Sequence, residues 1–420
     1  MVKRIGLVLL LLVGIGFGLS AEVTTIKYAF WGNPDAIGVE KDIIDAFEAT
    51  HPDIKVTPVA VAYNDYHSKI LILMAGGQAP DVMRIDSYFF QDFLKAGALK
   101  DISSLIKSSK VDLTKYYQSG LQDSVKDGKY YGLPWGVAPL YMFLNTKMFA
   151  DAGVPLPKPD WTWNDFVALL PKFSKGEAET KTYGMGMAVT DLSGILPYMW
   201  GVGEDLFDNG RTKFTLNTPG ASKKLDELSG YIKKGYFADP SIFTNADILT
   251  RYFAQNRIAM RTGAASDILS SQKIEGLDFV VMPFPGTAKF PRATVSKANT
   301  VGLYAKTKNE KAAWEFLQFL RAPGREGETL YMKAKRTPPA VDDPELWALY
   351  ADPTKSPKNV ATITKEINIK YGHLLPLRAG WLEIQGLMVP QLQKVFAGVV
   401  DGKTAMNEIA PQVNAILNKK

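Results

Sequence analysis

The sequence of 420 residues contains no cysteine and only three histidines. The missing cysteines exclude disulfides, thiolate metal sites, a cysteine nucleophile and the lipid-acceptor cysteine of a bacterial lipoprotein. His51 and His67 are expected at isolated surface positions, so a transition-metal site is not predicted. We expect neither a cofactor nor a bound metal.

Catalytic and nucleotide-binding motifs are also missing. The sequence has no G-x-S-x-G, H-E-x-x-H, P-loop or G-x-G-x-x-G segment. We therefore predict that the protein is not an enzyme. The 43 acidic residues leave a carboxylate pair for glycoside hydrolysis open, so a secreted carbohydrate hydrolase or lyase remains an alternative.

No block of five or more like charges occurs, although basic residues outnumber acidic ones by 49 to 43. Binding to nucleic acid or to a membrane surface requires a concentrated basic patch. The scattered charges therefore predict no nucleic-acid partner and no membrane-surface binding.

The first residues form the one long hydrophobic run. Lys3 and Arg4 precede an apolar stretch over residues 5–19, and the small residues Ser20 and Ala21 follow. This order is typical of a secretory signal. We predict a signal peptide over residues 1–21, cleaved after Ser20 or Ala21, and a periplasmic or extracellular location. An uncleaved N-terminal anchor is the alternative.

After this segment, predicted strands and helices alternate. Strands are indicated at residues 25–31, 54–62 and 81–85, and apolar side chains at helical spacing follow the first of them. The alternation predicts an α/β fold with a mostly parallel sheet flanked by helices. Ligands of such sheets bind beyond the carboxyl ends of the strands. Three short segments fall there: Trp31-Gly32-Asn33, Tyr63-Asn64-Asp65 and Asp86-Ser87.

A second α/β region is predicted from about residue 140 to 280. Residues 129–145 are rich in aromatics and turn formers and are expected to include a strand that crosses between the two regions. A strand at 300–305 and a helix at 310–320 follow. The chain ends in helices, and Pro411 either kinks the last one or marks its start.

Aromatic residues are the informative class, with 8 Trp and 18 Tyr. A sugar site needs flat aromatic platforms for the apolar faces of the rings and polar side chains for the hydroxyls. Four tryptophans lie in or at the start of amphipathic helices and are expected to be structural: Trp161, Trp163, Trp314 and Trp347. The others lie beside Gly, Asn, Pro or Arg, and are candidate platforms with a core role as the alternative: Trp31, Trp135, Trp200 and Trp381.

Several segments together resemble one family, the extracellular solute-binding proteins of bacterial ABC transporters, in the sugar-binding group that includes maltose-binding protein. The matching segments are residues 51–56, 75–82, 97–102, 127–134, 141–145 and 306–320. The resemblance covers nearly the whole chain after residue 21. It implies a two-lobed periplasmic-binding-protein fold in which a mono- or oligosaccharide binds between the lobes. It also implies delivery of the sugar to the membrane permease of an ABC transporter by hinge closure, and we expect a monomer.

The resemblance also implies where the lobes begin and end. The N-terminal lobe would comprise residues 23–134 and 284–322, and the C-terminal lobe residues 138–281 and 326–420. The hinge crossings would be residues 135–137, 282–283 and 323–325.

Some site residues are carried over by the same resemblance. Trp31 and Asn33 match the family's first binding loop, and Asp86-Ser87 match the polar pair after the third strand, although Asp86 could also cap the following helix. Trp200 and Trp381 match aromatics of the second lobe, and Gly263 matches a binding-turn glycine. The candidate ligand-binding residues are Trp31, Asn33, Tyr63, Asp86, Ser87, Trp135, Trp200, Arg261, Gly263, Arg378 and Trp381.

The sequence departs from the maltose-binding pattern at two places, so maltose is not the expected ligand. Ala264-Ala265 stands where Pro-Trp is expected, and Ala138 replaces an acidic residue. Arg261 and Arg378 add cationic donors near the expected cleft, for sugar hydroxyls or for the carboxylate of an acidic sugar. The same fold could therefore bind an acidic sugar, a phosphodiester or a peptide. Ferric binding by the tyrosine pairs 116–117 and 130–131 is not favoured.

Overall fold

The computed structural model describes residues 22–32, 34–243, 245–335 and 337–419. The predicted signal peptide (1–21) and the candidate site residue Asn33 lie outside these residues. Across the described ranges, no helix combines the length and the apolar character that crossing a bilayer requires.

Strands and helices alternate through most of the described chain. The strands are β1 (Thr24–Trp31), β2 (Ile54–Val61), β3 (Val82–Ile85), β4 (Val125–Lys126), β5 (Lys129–Tyr130), β6 (Leu133–Pro134), β7 (Ala138–Asn145), β8 (Tyr183–Gly186), β9 (Ile258–Ala264), β10 (Phe279–Met282), β11 (Thr294–Lys297), β12 (Thr300–Leu303) and β13 (Gly372–His373).

The α-helices are α1 (Pro34–Thr50), α2 (Tyr63–Ala75), α3 (Ser87–Lys95), α4 (Ser103–Ser108), α5 (Gln118–Leu121), α6 (Thr146–Asp151), α7 (Trp163–Phe173), α8 (Leu196–Trp200), α9 (Pro219–Lys233), α10 (Ala246–Ala254), α11 (Ala265–Gln272), α12 (Glu310–Arg321), α13 (Glu326–Lys333), α14 (Pro344–Tyr350), α15 (Val360–Glu366), α16 (Trp381–Phe396) and α17 (Gly402–Leu417). Pro411 lies inside α17 and does not mark its start.

The first sheet has the strand order β2-β1-β3-β12-β6. β1, β2 and β3 are parallel, whereas β12 runs antiparallel to β3 and β6. Ile26, Tyr28 and Phe30 of β1 share one core with Ile43 and Phe47 of α1. The alternation in the strand and the spacing of four in the helix place these side chains on facing surfaces. The α/β prediction is confirmed for this lobe.

The second sheet is mixed, with the strand order β13-β11-β7-β9-β8 and with β10 also beside β7. β7 runs antiparallel to β9, β10 and β11, while the pairs β8-β9 and β11-β13 are parallel. The prediction of a mostly parallel sheet is therefore wrong for this lobe. The chain enters the second lobe through β7, directly after the crossing from the first lobe. β9, β10 and β11 then pair with β7 in the opposite direction.

The first two crossings between the lobes lie side by side. The predicted crossing 135–137 lies between β6 of the first sheet and β7 of the second. The second crossing is not at 282–283, because β11 still pairs with β7 in the second sheet. The chain changes sheets at Ala298-Asn299, so residues 284–297 belong to the second lobe. The turn formers near residue 285 join parts of that lobe, where Gly286 exchanges backbone hydrogen bonds with Trp161 and Trp163.

The predicted crossing at 323–325 is also displaced, because this segment is a turn within the first lobe. Gly324 has a φ of +77°, and α13 after it packs against α1 and α12. α14 packs against α13. The next helix, α15, packs against β10, and its Thr364 hydroxyl lies 2.6 Å from the Tyr141 hydroxyl of β7. The chain therefore returns to the second lobe between α14 and α15.

Candidate functional site

One edge of the first sheet collects polar and aromatic residues. β1, β3 and β6 end there and antiparallel β12 begins there. The edge carries Trp31, Asp86, Ser87, Trp135 and the crossing segment 297–299. Asn299 joins two of them: its carbonyl accepts the backbone N–H of Trp135 (2.7 Å), and its Oδ1 accepts that of Ser87 (3.3 Å). The structure thus brings four of the predicted site residues together.

Asp86 is the polar centre of this edge and is 4% exposed. Its carboxylate accepts hydrogen bonds from the backbone N–H of Tyr88 (3.0 Å) and the hydroxyl of Tyr63 (3.3 Å). Lys297 Nζ lies 3.5 Å from the same carboxylate. Asp86 is thus the N-cap of α3 and also part of the charged edge, so both predicted roles have a place in the geometry.

His67 orients the Asp86 backbone. The Asp86 N–H donates to His67 Nε2 (3.2 Å), and the imidazole stacks on Phe89 with ring centres 3.7 Å apart. Burial lowers the pKa of His67 to about 4, although the negative charge of Asp86 opposes this shift. The ring is therefore neutral at pH 7 and carries its proton on Nδ1. The expectation of a surface histidine is wrong, because α2 begins at Tyr63 and turns this side chain inward.

Three aromatic rings form a wall beside Asp86. The Trp31 ring centre lies 5.7 Å from that of Tyr63 and 6.5 Å from that of Trp135. Trp31 and Trp135 are partly exposed, and Tyr63 is 42% exposed. The indole nitrogen of Trp135 is buried and has no partner within the described residues. These rings present apolar faces next to a carboxylate.

Lys297 lies on β11 just before the crossing and was missed by the sequence analysis. Its Nζ lies 3.9 Å from the ring centre of Tyr88. Burial lowers the pKa of Lys297, but the negative charges of Asp86 and of Asp191 in the second lobe contribute to a larger opposite effect. The pKa is therefore above its ordinary value, and the ammonium places a positive charge at the base of the cleft.

The lobes touch along α3. The Tyr88 ring stacks on Trp381 with ring centres 6.1 Å apart and planes 12° apart. The Gly380 N–H donates to Asp92 Oδ1 (3.2 Å) beside this stack, and Ser193 hydrogen-bonds to Tyr88. Trp381 is 0% exposed. It is not the open sugar platform that was expected, because Tyr88 already covers its face in this conformation.

A cavity of about 1160 Å³ lies between the lobes on the other side of α3. Its lining includes Ser87 and Asp123 from the first lobe and Arg211, Leu377 and Arg378 from the second. The predicted residues Ser87 and Arg378 thus face one space. Within the described residues, the Arg378 guanidinium makes no hydrogen bond or ion pair. Arg211 is fixed by donating to the Leu377 carbonyl (3.2 Å).

Asp123 connects this cavity to the hinge. Its Oδ2 accepts the backbone N–H of Ala298 at 2.7 Å. Burial raises the pKa of Asp123 to about 7, although the Ala298 hydrogen bond and the positive charge of Lys297 oppose the shift. Burial lowers the pKa of Arg211, and the nearby charge of Arg378 lowers it further. The cavity therefore combines two guanidiniums with one carboxyl group that titrates near neutral pH.

Trp200 lies in the second lobe away from this cavity. The residue is 7% exposed, and its indole nitrogen donates to Asp205 Oδ1 (3.0 Å). Its ring centre lies 4.2 Å from that of His373, which is exposed. Its role as a sugar platform stays a prediction that requires His373 to move aside.

Arg261 and Gly263 do not lie at the cleft. Arg261 is 0% exposed, and its guanidinium carbon lies 4.1 Å from the ring centre of Phe143. The same guanidinium pairs with Asp267 at 3.3 Å. A Cβ on Gly263 would come within 2.8 Å of the Arg261 guanidinium, so this glycine makes room for the buried arginine. The expected contacts of Arg261 and Gly263 with a ligand do not fit these positions.

Topology explains which site residues the sequence analysis missed. Lys297 lies next to Asp86 because β12 runs antiparallel to β3, so the residues before β12 reach the edge where β3 ends. Asp123 and Arg211 follow no strand end and carry no local signal. Only Tyr88 could have been found locally, because it follows Asp86-Ser87 directly.

Comparison with known proteins gives consistent matches over most of the chain. A family described as bacterial extracellular solute-binding protein matches residues 34–325. An ABC transporter extracellular-binding protein of Pyrococcus horikoshii is 27% identical over 359 residues, which cover 81% of this chain and 79% of that protein. A galactooligosaccharide-binding protein of Bacillus subtilis is 24% identical over 406 residues, 93% of this chain and 89% of that protein.

A solved structure supports the same architecture. An ABC substrate-binding protein of Listeria monocytogenes, in complex with cycloalternan, superposes with a TM-score of 0.81 at 24% identity. The match covers 95% of this chain and 100% of that protein. The two-lobed fold implied by the sequence is therefore confirmed.

Proposed function

The chain belongs to the bacterial extracellular solute-binding proteins, and from this premise we propose that it captures an oligosaccharide between its lobes. We further propose that it hands this sugar to the permease of an ABC importer, as a monomer without catalytic activity. Residues 1–21 would serve as its export signal, which would place the working protein in the periplasm or outside the cell.

The observation that carries this proposal is the edge of the first sheet. Trp31, Tyr63 and Trp135 present aromatic faces, and Asp86 and Lys297 lie directly beside them. The apolar C–H face of a sugar ring packs on an aromatic face, while its hydroxyls need charged or polar partners. Both requirements are met within one edge of the sheet.

The cavity beside this edge shares Ser87 with it but is not lined by Trp31, Tyr63 or Trp135, and its size favours more than one sugar ring. Pockets for drug-sized ligands are about 300–1,000 Å³, and the cavity between the lobes measures about 1160 Å³. The Bacillus relative is named for a galactooligosaccharide, and the Listeria structure holds cycloalternan. These relatives support an oligosaccharide as the ligand class of this chain.

The positions of the polar residues support closure of the two lobes about the hinge. Lys297 lies at the crossing, close to Asp86 of the first lobe, and Arg378 and Arg211 approach from the second lobe. A ligand that contacts both sides stabilises the closed arrangement by its differential affinity for it. The permease could then distinguish loaded from empty protein by shape.

A thermal-shift screen tests the ligand class. The probes are galacto-oligosaccharide, cycloalternan, maltotriose, glucose, galacturonate and a tripeptide. A ligand at 100 times its Kd stabilises the folded state by about 2.7 kcal/mol, which raises the melting temperature by about 2–4 °C or more. We expect an oligosaccharide to give the largest shift, with no new reducing ends after incubation. A shift with the tripeptide or galacturonate alone would overturn the proposed ligand class, and new reducing ends would indicate a hydrolase.

A further inference from the structure

A buried arginine packs against two of the aromatic rings at this edge. Arg84 of β3 is 2% exposed. Its guanidinium carbon lies 4.6 Å from the ring centre of Trp31 and 4.4 Å from that of Trp135. Its Nη2 also donates to the Trp31 carbonyl oxygen at 2.9 Å. One side chain therefore contacts both indoles and the backbone of one of them.

The guanidinium is anchored from the opposite side, by residues remote from the cleft. Glu40 of α1 pairs with Arg84 at 3.1 Å, and both side chains are at most 3% exposed. The Glu40 carboxylate also accepts a hydrogen bond from the Tyr331 hydroxyl of α13. Tyr331 in turn meets the Trp135 ring edge-on, with ring centres 5.9 Å apart. Helices behind the sheet thus fix the cation that both indoles contact.

Hydrogen bonds and the ion pair do not use the whole guanidinium. The Nε of Arg84 finds no acceptor within the described residues. A buried ion pair is weak evidence for stability, because an apolar pair of similar volume often serves a core equally well. A planar guanidinium, in contrast, stacks on aromatic faces and can hold two rings at a fixed separation.

We propose that Arg84 is a positioning residue that sets the separation and the tilt of Trp31 and Trp135 for sugar stacking. This rests on the proposed function of that edge. Arg84 is too deeply buried to touch a ligand and acts only through the two rings. The Trp31 and Trp135 planes are tilted by 57° with ring centres 6.5 Å apart, and the cation that contacts both rings maintains this arrangement.

The chain offers a matched control for loss of a buried arginine. Arg261 is 0% exposed in the second lobe, stacks on Phe143 at 4.1 Å and pairs with Asp267 at 3.3 Å. It has the same type of ring contact and ion pair but touches no candidate platform. One double variant combines Glu40→Gln with Arg84→Met, and the control double variant combines Asp267→Asn with Arg261→Met. Each removes both members of an ion pair, so neither leaves a buried charge unpaired.

The first measurement needs no ligand. Two indoles this close couple in circular dichroism, and replacing Trp31 or Trp135 by phenylalanine in the wild type identifies their signal. We expect the Arg84 double variant to lose most of this signal and the Arg261 double variant to retain it. Arg84→Lys, which keeps a charge opposite Glu40 but has no planar fork, should fold in any case and lose part of the signal. A coupling signal unchanged in the Arg84 variants would overturn the proposal.

The second measurement is affinity, with galacto-oligosaccharide and cycloalternan as probes. Losing the guanidinium should weaken binding about tenfold, because the cation–π contacts no longer order the rings. Equal weakening in the Arg261 double variant would assign the effect to general destabilisation and contradict the proposal. If neither sugar binds the wild type, the proposed ligand class is wrong, and the dichroism alone decides the role of Arg84.

Discussion

Asp86 combines two tasks that a single substitution can separate. Its carboxylate caps α3 through the Tyr88 N–H and also accepts the Tyr63 hydroxyl beside Lys297. Asparagine caps helices as well as aspartate does but carries no charge. Asp86→Asn should therefore keep the cap of α3 and lower the melting temperature of the free protein only through the lost charge pairing with Lys297. It should weaken saccharide binding about tenfold or more, because hydrogen bonds to a charged group are worth about 1.5–3 kcal/mol. Calorimetric titration and a melting curve measure the two effects.

The opposite pattern would reassign this residue. A variant that melts earlier but binds the sugar with unaltered affinity would show that Asp86 serves the helix and not the ligand. Asp112→Asn is a suitable control, since Asp112 caps the short turn that begins at Leu113 through the Thr114 N–H and does not line the cavity between the lobes. It should leave affinity unchanged.

His67 makes the stability of the first lobe depend on pH. Its pKa is lowered to about 4 in the folded state, against about 6.5 in the unfolded chain. Between these values the unfolded state binds a proton that the folded state does not, so stability falls as pH drops from 6.5 to 4. The loss should be on the order of 2–3 kcal/mol. Above pH 7 the residue contributes no pH dependence.

Replacing the imidazole tests this assignment. His67→Gln keeps an acceptor for the Asp86 N–H but does not titrate, so the difference in melting temperature between pH 7 and pH 4.5 should be smaller than in the wild type. His51→Gln, at the end of α1, should behave as the wild type does. A pH response that His67→Gln shares fully with the wild type would mean that other groups cause it.

At the scale of single elements, Gly136 in the first crossing between the lobes is a position without room for a side chain. It lies between β6 and β7 with a φ of +138°, and a Cβ there would come within 2.5 Å of Thr337 and 2.8 Å of the Pro338 carbonyl oxygen. Gly77 after α2 also has a positive φ, of +70°, but open space around it. We expect Gly77→Ala to cost about 1–2 kcal/mol of unfolding free energy and Gly136→Ala clearly more. Denaturant unfolding measures both, and equal losses would contradict a steric role of Thr337.

The elements that the sequence predicts correctly are those specified by local patterns. β1 and α12 begin and end within about a residue of their predicted bounds, because alternation and apolar spacing are local signals. β11 was assigned to the wrong lobe, since its pairing with β7 joins residues more than 150 positions apart. For the same reason the sequence did not predict that Arg261 is buried, because its guanidinium packs on Phe143 of β7, which is distant in the chain.

At the scale of the whole molecule, some features of the site are predicted by local sequence patterns and others depend on contacts between distant parts of the chain. Strand ends place Trp31, Asp86 and Ser87 at one edge, and the sequence predicts this from the alternation of strands and helices alone. The sequence does not predict which surfaces of the two lobes meet. Trp381 is therefore the instructive case: its position in the second lobe was expected, but its cover by Tyr88 depends on how the lobes close.

The contact between the lobes should set the observed affinity without touching the ligand. Asp92 accepts the Gly380 N–H across the lobes at 3.2 Å, and neither residue lines the cavity. Asp92→Ala removes this bond, worth about 0.5–1.5 kcal/mol, and so lowers the population of the closed form. Apparent affinity falls in proportion to the fraction of protein that is binding-competent. We expect up to about tenfold weaker sugar binding and a larger radius of gyration of the free protein in small-angle scattering, while Asp42→Ala at an exposed position of α1 should change neither. Unchanged scattering together with weaker binding would mean that Asp92 acts on the ligand site itself and not on closure.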